Sequence, residues 1–349
     1  MQIKKVMVIT MYDIRDLSLK EIEEFIVSLG EPKFRAKQIF KWINNGIEDF
    51  DEMTDIPKKL RDKLKENFII KNIFIEAKQE SSDGTVKYLL RLKDGNLIEA
   101  VLMRYSYGNS VCISTQAGCN MGCSFCASTI GGKIRDLSPG EMLGEVLAIS
   151  KDQNIRISNI VLMGTGEPLD NFDNVLKFLE LINSKEGLNI GMRHITLSTC
   201  GLVPEIKRLA DLRLQLTLAI SLHAPNNDKR KKIMPIANRY SMNELLEACR
   251  YYVEKTNRRI TFEYALIKDI NDSIEDAKEL SKRLEGLLCH VNLIPVNPVS
   301  ERNFERPDRK RIENFRDILE SHGINTTIRR ELGNDIDAAC GQLRRRFIT

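Results

Sequence analysis

Three cysteines of this chain, Cys119, Cys123 and Cys126, lie within one short segment, Gly-Cys-Asn-Met-Gly-Cys-Ser-Phe-Cys. Their spacing is C-x3-C-x2-C, and no fourth cysteine follows nearby. Iron–sulfur clusters and structural zinc sites are normally completed by four ligands. Three thiolates on one loop therefore indicate a cluster with one iron left open, where a substrate or cofactor can bind and react.

The residues around the three cysteines suit such a cluster. Gly118 and Gly122 allow the backbone to fold tightly around an inorganic core, and Phe125 would shield that core from water. A chance grouping of three cysteines stays open as an alternative, and so does a zinc site that is completed by a distant His or Cys.

The composition is that of an ordinary globular protein. The chain has 349 residues, of which 42% are apolar and 29% charged, enough for a large catalytic domain and a smaller one. Eight cysteines in a chain of this length do not resemble a secreted disulfide framework. No apolar stretch approaches the roughly 20 residues that span a bilayer, and the N-terminus lacks a signal-peptide cleavage site. We therefore expect a cytoplasmic protein with no membrane partner, and a net charge of +4 permits a nucleic-acid partner without requiring one.

Residues 1–70 are predicted to form a helical accessory domain. Ser18 and Glu21 form a capping box, apolar residues at helical spacing follow, and Gly30 ends the helix. Two interpretations of the basic residues on these helices stay open, namely solvated helix faces and a small RNA-docking module. The residues concerned are Lys33, Arg35, Lys37, Lys41, Lys58, Lys59, Arg61, Lys63 and Lys65.

Residues 71–109 are predicted to form a small antiparallel unit that links the helices to the rest of the chain. Asp83-Gly84 and Asp94-Gly95 separate β-rich runs, which is a strong hairpin signal. We expect strands near 73–79, 85–92 and 96–104.

From 110 to 343 the pattern is strand, loop and helix, repeated, and a basic tail follows at 344–349. Such alternation predicts parallel βαβ units, and six of them make an α/β fold with a partial (β/α)6 barrel. Helices are expected at Pro139–Lys151 and Met242–Lys255. The predicted strands are Ser110–Ser114, Ile160–Met163, His194–Ser198, Leu216–Ser221, Ile260–Leu266, Val291–Pro295 and Thr326–Arg329.

Polar or small residues follow several of these strands, at the end of a barrel where chemistry takes place. They include Gly166, Glu167, Ser198, Ser221, His223 and Asn297. Hydroxyl, amide and carboxylate groups in such positions suit a ribose, an amino acid or an adenine edge. Each hydroxyl or amide residue alone is equally well explained as a cap or turn residue, and the Gly-x-Gly segment with Gly166 and Glu167 alone is better explained as a tight turn.

The remaining cysteines are ambiguous by themselves. Cys340 lies among small residues in Gly-Asn-Asp-Ile-Asp-Ala-Ala-Cys-Gly-Gln-Leu, and Cys112 ends the first barrel strand. Each of these two is as well explained by a structural role as by a reactive one. Cys200, Cys249 and Cys289 are interpreted as core residues.

A C-x3-C-x2-C loop after the first barrel strand and a Gly-Glu-Pro motif after the second resemble the radical S-adenosylmethionine (SAM) enzymes. Four segments resemble one family in particular, RlmN, whose members are dual-specificity RNA methyltransferases acting on C2 of adenosine. The resemblance extends from the N-terminal helices to Leu343, and Pro168 distinguishes it from the related Cfr family, which usually has Ala there. The four segments are Gln116–Cys119, Gly164–Asn171, Ser221–Pro225 and Asp335–Leu343.

The resemblance implies a radical SAM partial barrel that holds a [4Fe–4S] cluster through Cys119, Cys123 and Cys126, with SAM on the open iron. It also implies that the N-terminal helices bind RNA. The implied partners are 23S rRNA, tRNA, an electron donor such as flavodoxin or ferredoxin, and a thiol reductant. The implied SAM contacts are Gly166, Glu167, Ser198, Ser221, Leu222, His223 and Asn297.

The family's chemistry assigns roles to three further residues. C2 of adenine is an aromatic carbon of low nucleophilicity, so it cannot simply attack the methyl group of SAM. In the implied mechanism one SAM methylates Cys340, and a 5′-deoxyadenosyl radical from a second SAM takes a hydrogen from that methyl group. The methylene radical adds to C2, Glu99 accepts a proton, and Cys112 attacks the sulfur of Cys340, which releases the product and leaves a disulfide for the reductant.

Two alternative functions stay open on the sequence. A Cfr-like enzyme would methylate C8 of the same rRNA adenosine with the same cysteine pair. A non-enzymatic RNA-binding protein would use the three loop cysteines for a zinc or a structural iron–sulfur site.

Overall fold

The computed structural model of the protein describes residues 11–296 and 304–330 and, beyond them, 332, 333, 335, 336, 343, 344 and 347. The framework is a ten-stranded sheet with helices packed on one face, and an N-terminal helical bundle docks against it. None of the helices in this described part of the chain has the length and apolar character needed to cross a membrane.

The N-terminal bundle consists of three helices and a short pair of parallel strands. Its elements are β1 Tyr12–Asp13, α1 Leu19–Ser28, α2 Phe34–Asn44, α3 Lys58–Asn67 and β2 Phe68–Ile69. The predicted capping box is confirmed, since the Ser18 hydroxyl accepts from the Glu21 amide and the Glu21 carboxylate accepts from the Ser18 amide. A buried apolar cluster with side chains from all three helices holds the bundle together.

Four antiparallel strands follow the bundle, and the first three confirm the predicted hairpins. They are β3 Phe74–Glu80, β4 Val86–Arg91, β5 Leu97–Tyr105 and β6 Gly108–Cys112. In the two turns, Gly84 and Gly95 have φ values of 83° and 86°, a conformation that glycine adopts without strain. β6 also pairs in parallel with the next barrel strand, so the hairpins and the barrel form one continuous sheet.

The rest of the chain builds the predicted partial barrel. Its elements are β7 Gln116–Gly118, β8 Lys133–Asp136, α4 Pro139–Gln153, β9 Asn159–Leu162, α5 Phe172–Asn183, β10 Ile195–Thr199, α6 Val203–Asp211, β11 Thr217–Ser221, α7 Asn227–Ile233, α8 Met242–Thr256, β12 Ile260–Leu266, α9 Ile274–Leu284, β13 Cys289–Pro295, α10 Arg309–Ser321 and β14 Thr326–Ile328. β6 and β9 to β14 are parallel strands, and they lie side by side in the order in which they occur in the chain. Among the described residues the sheet has β14 at one edge and β3 at the other, and it does not close. The division of the chain at residues 70, 109 and 343 stays a prediction.

Strand register sorts the barrel side chains onto two faces, because successive residues point to opposite sides. Ile160, Leu197 and Phe262 belong to the face that the helices cover, and all three are fully buried. The opposite face carries most of the polar residues of the strands. Cross-strand pairs on that face are Cys112–Val161, Ser198–Ala219 and Ser221–Glu263.

Arg15 and Asp16 fix the N-terminal bundle in place. The buried Arg15 guanidinium donates to the carbonyl oxygens of Ile47 at 2.8 Å and Lys71 at 2.9 Å. Asp16 Oδ1 accepts from the Gly140 amide at 2.7 Å, in the first turn of α4. A carboxylate is favoured there by the free amides and the dipole of the helix.

We expect Gly140→Ala to destabilise the protein, although glycine to alanine within a helix normally stabilises by roughly 0.5–1 kcal/mol. An added Cβ would lie 2.7 Å from Arg15 Cβ and 3.0 Å from the Arg15 carbonyl carbon, neither of which can move easily. Such overpacking costs about 1–3 kcal/mol, so thermal unfolding followed by circular dichroism should show a clearly lower Tm.

Gly144→Ala is the matched control for this prediction. The added Cβ would meet Ile73 Cδ1 at 2.9 Å, which is the flexible end of a side chain, so a much smaller change in Tm is expected. A Gly140→Ala variant as stable as the wild type would show that the bundle does not dock tightly on α4.

Candidate active site

One cavity of about 290 Å³ opens at the carboxyl ends of the parallel strands. Its wall includes the cysteine loop, residues at or near the ends of β9 to β13, Met234 after α7 and Arg329 after β14. The cavity therefore brings together the predicted cluster ligands and most of the predicted SAM contacts. These are Cys119, Cys123 and Cys126 with Gly166, Glu167, Ser198, Ser221 and His223.

The cysteine loop is closed by a short hairpin that the sequence did not predict. β7 and β8 pair as antiparallel strands on either side of the loop, and the Cys119 amide donates to the Gly132 carbonyl at 3.2 Å. Gly118 has a φ of 82°, and a Cβ at this position would lie 2.0 Å from the Gly132 oxygen. Only glycine fits there, so the close backbone contact between Gly118 and Gly132 fixes the position of Cys119.

All three cysteines of the loop line the same cavity, as a cluster that binds all three would require. Cys119 and Cys123 are buried, and burial raises the pKa of Cys119 to about 12 and that of Cys123 still further. Such thiols keep their protons unless a positive group takes the place of those protons, as iron does when it binds sulfur. Within the described part of the chain, no three His, Cys, Asp or Glu side chains converge closely enough to hold a single metal ion.

Glu167 connects the loop that follows β9, in which it lies, with the loop that follows β10. Its Oε1 accepts from the Leu169 amide at 3.0 Å, and its Oε2 accepts from the Cys200 amide at 2.7 Å. Burial raises its pKa, and the two amide bonds oppose that effect. Because each carboxylate oxygen can accept more than one hydrogen bond, a contact with an amino group of SAM stays a prediction.

His223 offers a hydrogen-bond donor to the site. Its Nδ1 accepts from the Ala265 amide at 2.9 Å, and burial lowers the pKa of the ring to about 3. The neutral ring therefore carries its hydrogen on Nε2. The Phe125 ring meets it edge to face, with 4.8 Å between centroids, so the residue predicted to shield the cluster orients the histidine.

Cys112 lies beside the cavity rather than in its wall. It is buried in a small apolar cluster with Val101 and Met103, against which Met163 packs. Met163 also lines the cavity, so the cluster that contains Cys112 adjoins the cavity wall. Whether Cys112 is reactive stays a prediction.

Glu99 is buried on β5 and is held from two sides. Its Oε2 accepts from Lys87 Nζ at 2.7 Å, and its Oε1 accepts from the Arg344 amide at 2.6 Å. The Gly333 amide likewise donates to Asp83 Oδ2 at 2.9 Å. Described residues on both sides of the Asp335–Leu343 motif are thus attached to the antiparallel strands.

Two of the predicted site residues, Cys340 and Asn297, lie outside the described residues. Leu222 is buried in the apolar core and contributes its backbone, since its amide donates to the Glu263 carbonyl at 3.0 Å. Cys200 is buried as expected for a core residue, yet it also lines the cavity.

Sequence reasoning did not single out two cavity residues, Glu263 and Arg329. Glu263 is buried, burial raises its pKa, and its Oε2 accepts from Asn292 Nδ2 at 2.8 Å. Arg329 follows β14 and reaches the same cavity. The available signal was a single acidic residue within the apolar run Ile-Thr-Phe-Glu-Tyr-Ala-Leu of β12.

Comparison with known proteins decides the family. Residues 113–281 match the Radical SAM superfamily, and residues 12–70 match the ribosomal RNA large subunit methyltransferase N-terminal domain. The probable dual-specificity RNA methyltransferase RlmN of Clostridium beijerinckii is 60% identical over 97% of this chain and 96% of its own length. Its namesake from Alkaliphilus oremlandii is 58% identical over 96% of this chain and 98% of its own length. This chain belongs to the RlmN family.

The fold of this RlmN family member agrees with an experimental structure. The crystal structure of a radical SAM methyltransferase from Sphaerobacter thermophilus matches it with a TM-score of 0.90 at 45% identity, over 95% of this chain and 98% of that chain. The protein is thus a radical SAM methyltransferase of the RlmN type, and this family implies SAM and a [4Fe–4S] cluster.

We expect the ring of His223 to stay neutral between about pH 7.5 and 5, because its pKa in the folded protein is about 3. The pKa of His223 is lower in the folded protein than in the unfolded chain, where it is 6.5. The neutral ring therefore contributes its full stability to the fold above pH 6.5, and this contribution is lost as the pH falls from 6.5 towards 3. Nitrogen-15 NMR of the cluster-free protein should show a ring with its hydrogen on Nε2 and no titration in that range. The signal is assigned by its absence in His223→Gln, and a midpoint near 6.5 would contradict the buried neutral ring.

Proposed function

We propose that this enzyme methylates C2 of a specific adenosine in 23S rRNA, at the peptidyl transferase centre, and of the adenosine next to the anticodon in some tRNAs. The observation that carries the proposal is the cavity that joins the three loop cysteines to the strand-end residues, with the apolar cluster of Cys112 adjoining its wall. The relatives named as dual-specificity RNA methyltransferases support RNA as the substrate. A cytoplasmic location is part of the proposal.

Cys119, Cys123 and Cys126 would hold the [4Fe–4S] cluster, and the strand-end residues would hold SAM. When bound and reduced by a donor such as flavodoxin or ferredoxin, the cluster supplies the electron that cleaves SAM to a 5′-deoxyadenosyl radical. The Nε2 hydrogen of His223 and the hydroxyls of Ser198 and Ser221 are suited to orienting SAM by hydrogen bonds. Phe125 keeps water from the same space.

The chain's own thiols would carry the methyl group. Cys340 accepts it from one SAM, and the radical from a second SAM removes a hydrogen, so that the methylene carbon bonds to C2. One electron of the C2 adduct would pass to an acceptor such as the oxidised cluster, and Glu99 would accept the C2 proton. The Cys112 thiolate would then attack the Cys340 sulfur, which breaks the sulfur–carbon bond, and a proton taken up by the released carbon would complete the methyl group. A thiol reductant would reduce the disulfide and restore both thiols. The attachment of Gly333 to Asp83, in the turn between β3 and β4, and of Arg344 to Glu99 on β5 supports this pairing of distant cysteines.

Cys340→Ala should abolish methylation of a 23S rRNA fragment while SAM cleavage by the reduced enzyme continues, because only the methyl carrier is lost. Cys112→Ala should leave the enzyme attached to RNA through Cys340, because nothing releases the product. Cys289→Ala, a substitution of a buried cysteine outside the cavity wall, is the control and should retain activity. Mass spectrometry of digested RNA measures all three.

The product nucleoside tests the position of the methyl group. NMR should identify 2-methyladenosine, and 8-methyladenosine would instead indicate the Cfr-like reaction. Full methylation by Cys340→Ala would overturn the proposed mechanism, and a colourless zinc-containing protein that does not cleave SAM would support a non-enzymatic RNA-binding role.

We further propose that α3 binds the RNA backbone. Lys58 and Lys59 are exposed and Lys63 is partly exposed, and within the described residues none of the three forms an ion pair. By contrast, other lysines of the bundle are neutralised by acidic neighbours. Those lysines and their partners are Lys33 with Glu23, Lys37 with Glu186, and Lys65 with Asp49 and Asp51.

Replacing Lys58, Lys59 and Lys63 together by Ala should weaken RNA binding. It should also reduce the slope of the logarithm of the binding constant against the logarithm of the salt concentration, by about 2 if all three contact phosphates. Fluorescence anisotropy with labelled RNA at several salt concentrations measures both effects. The matched control replaces Lys33, Lys37 and Lys65, which already have partners and should change the slope less. Equal effects of the two triple variants would indicate a general charge effect rather than docking on α3.

A further inference from the structure

Arg230 is a fully buried cation on α7, next to the ends of β10 and β11, and among the described residues no carboxylate pairs with it. Its Nη2 donates to the carbonyl oxygens of Cys200 at 2.5 Å and Ser221 at 3.3 Å, and its Nε donates to that of Leu222 at 3.2 Å. Its Nη1 has no hydrogen-bond partner within the described part of the molecule. A buried charge without a counter-charge is costly, so this arrangement points to a negative group that belongs beside it.

The helix that carries Arg230 also holds the cysteine loop. Both the amide and the hydroxyl of Ser124 donate to the Ile233 carbonyl at the end of α7, at 2.9 and 3.3 Å. The next residue, Met234, lines the cavity. Arg230 is thus fixed in relation to the loop cysteines through one short backbone connection.

The charge of Arg230 lies next to the cavity wall. Its Nη2 donates to the carbonyl of Cys200, and Cys200 lines the same cavity as Cys119, Cys123 and Cys126. A fixed positive charge in a poorly solvated interior interacts strongly with charges nearby. Reduction of a cluster bound to Cys119, Cys123 and Cys126 adds one negative charge to that cluster. The positive charge of Arg230 would stabilise the reduced state.

We propose that Arg230 is a positioning residue that raises the reduction potential of the cluster bound by Cys119, Cys123 and Cys126. The inference rests on the proposed function only in that it requires the cluster. Arg230 supplies the counter-charge for the added electron, while its bonds to the ends of β10 and β11 keep the guanidinium in place. The electron itself comes from the external donor, and no bond to Arg230 forms or breaks.

The test uses the full-length enzyme, reconstituted anaerobically with iron and sulfide, as wild type, Arg230→Met and Arg230→Lys. Redox titration followed by electron paramagnetic resonance should show a lower midpoint potential for Arg230→Met. The equilibrium constant for reduction should fall at least tenfold, about 59 mV for a one-electron couple. Arg230→Lys keeps the charge and should stay close to the wild type.

Arg258→Met is the matched control, because Arg258 also donates to strand β11, at its opposite end, through Leu216 and Thr217. Its potential should equal that of the wild type. If Arg230→Met does not load iron, Arg230→Gln replaces it, since it keeps hydrogen bonding without the charge, and must show the same shift. An unchanged potential in an iron-loaded uncharged variant, or an equal shift in Arg258→Met, would overturn the proposal. Potential and iron content are measured without RNA, so a wild type that carries a cluster but methylates nothing would refute the proposed function alone.

Discussion

The geometry of the site depends on the buried side chain of Gln116, which joins three segments of the chain. Its Oε1 accepts from the Glu167 amide at 2.9 Å, and its Nε2 donates to Asp136 and Asp170, each at 2.8 Å. The cysteine hairpin and the Gly-Glu-Pro turn are thereby locked to each other. Gly166 makes the contact possible, since a Cβ there would lie 2.6 Å from Gln116 Cβ. The cysteine loop and the Gly-Glu-Pro turn therefore form one rigid part.

Buried charged side chains of this protein are accommodated in two different ways. Glu99 and Lys87 form a buried pair at 2.7 Å, so the attraction between them offsets the desolvation of each charge. Arg230 instead donates from Nε and Nη2 to three carbonyl oxygens, whose dipoles do not neutralise its charge. The first arrangement suits a residue that must be held in one place, and the second leaves a net positive charge available to the cavity.

The sequence predicts the barrel well because buried parallel strands are apolar runs bounded by loops. Ile260–Leu266 is found with the predicted ends, whereas β6 starts at Gly108, two residues early, because its antiparallel pairing with β5 begins there. β7 and β8 have only three and four residues and a register shift between them, too short for a periodic pattern. Arg230 lies in Asn-Asp-Lys-Arg-Lys-Lys-Ile, where nothing distinguishes it from its exposed neighbours until α7 packs on the barrel.

The segment 71–109 contributes more than the link that its hairpin pattern suggests. Its third strand supplies Glu99, and Val101 on the same face packs with Cys112. The same antiparallel strands hold the described residues on either side of the motif that contains Cys340. Because β5 is continuous with the barrel sheet, a shift of register by one residue would turn Glu99 and Val101 to the opposite face. The proposed pairing of Cys112 with Cys340 therefore depends on these antiparallel strands as much as on the radical SAM barrel itself.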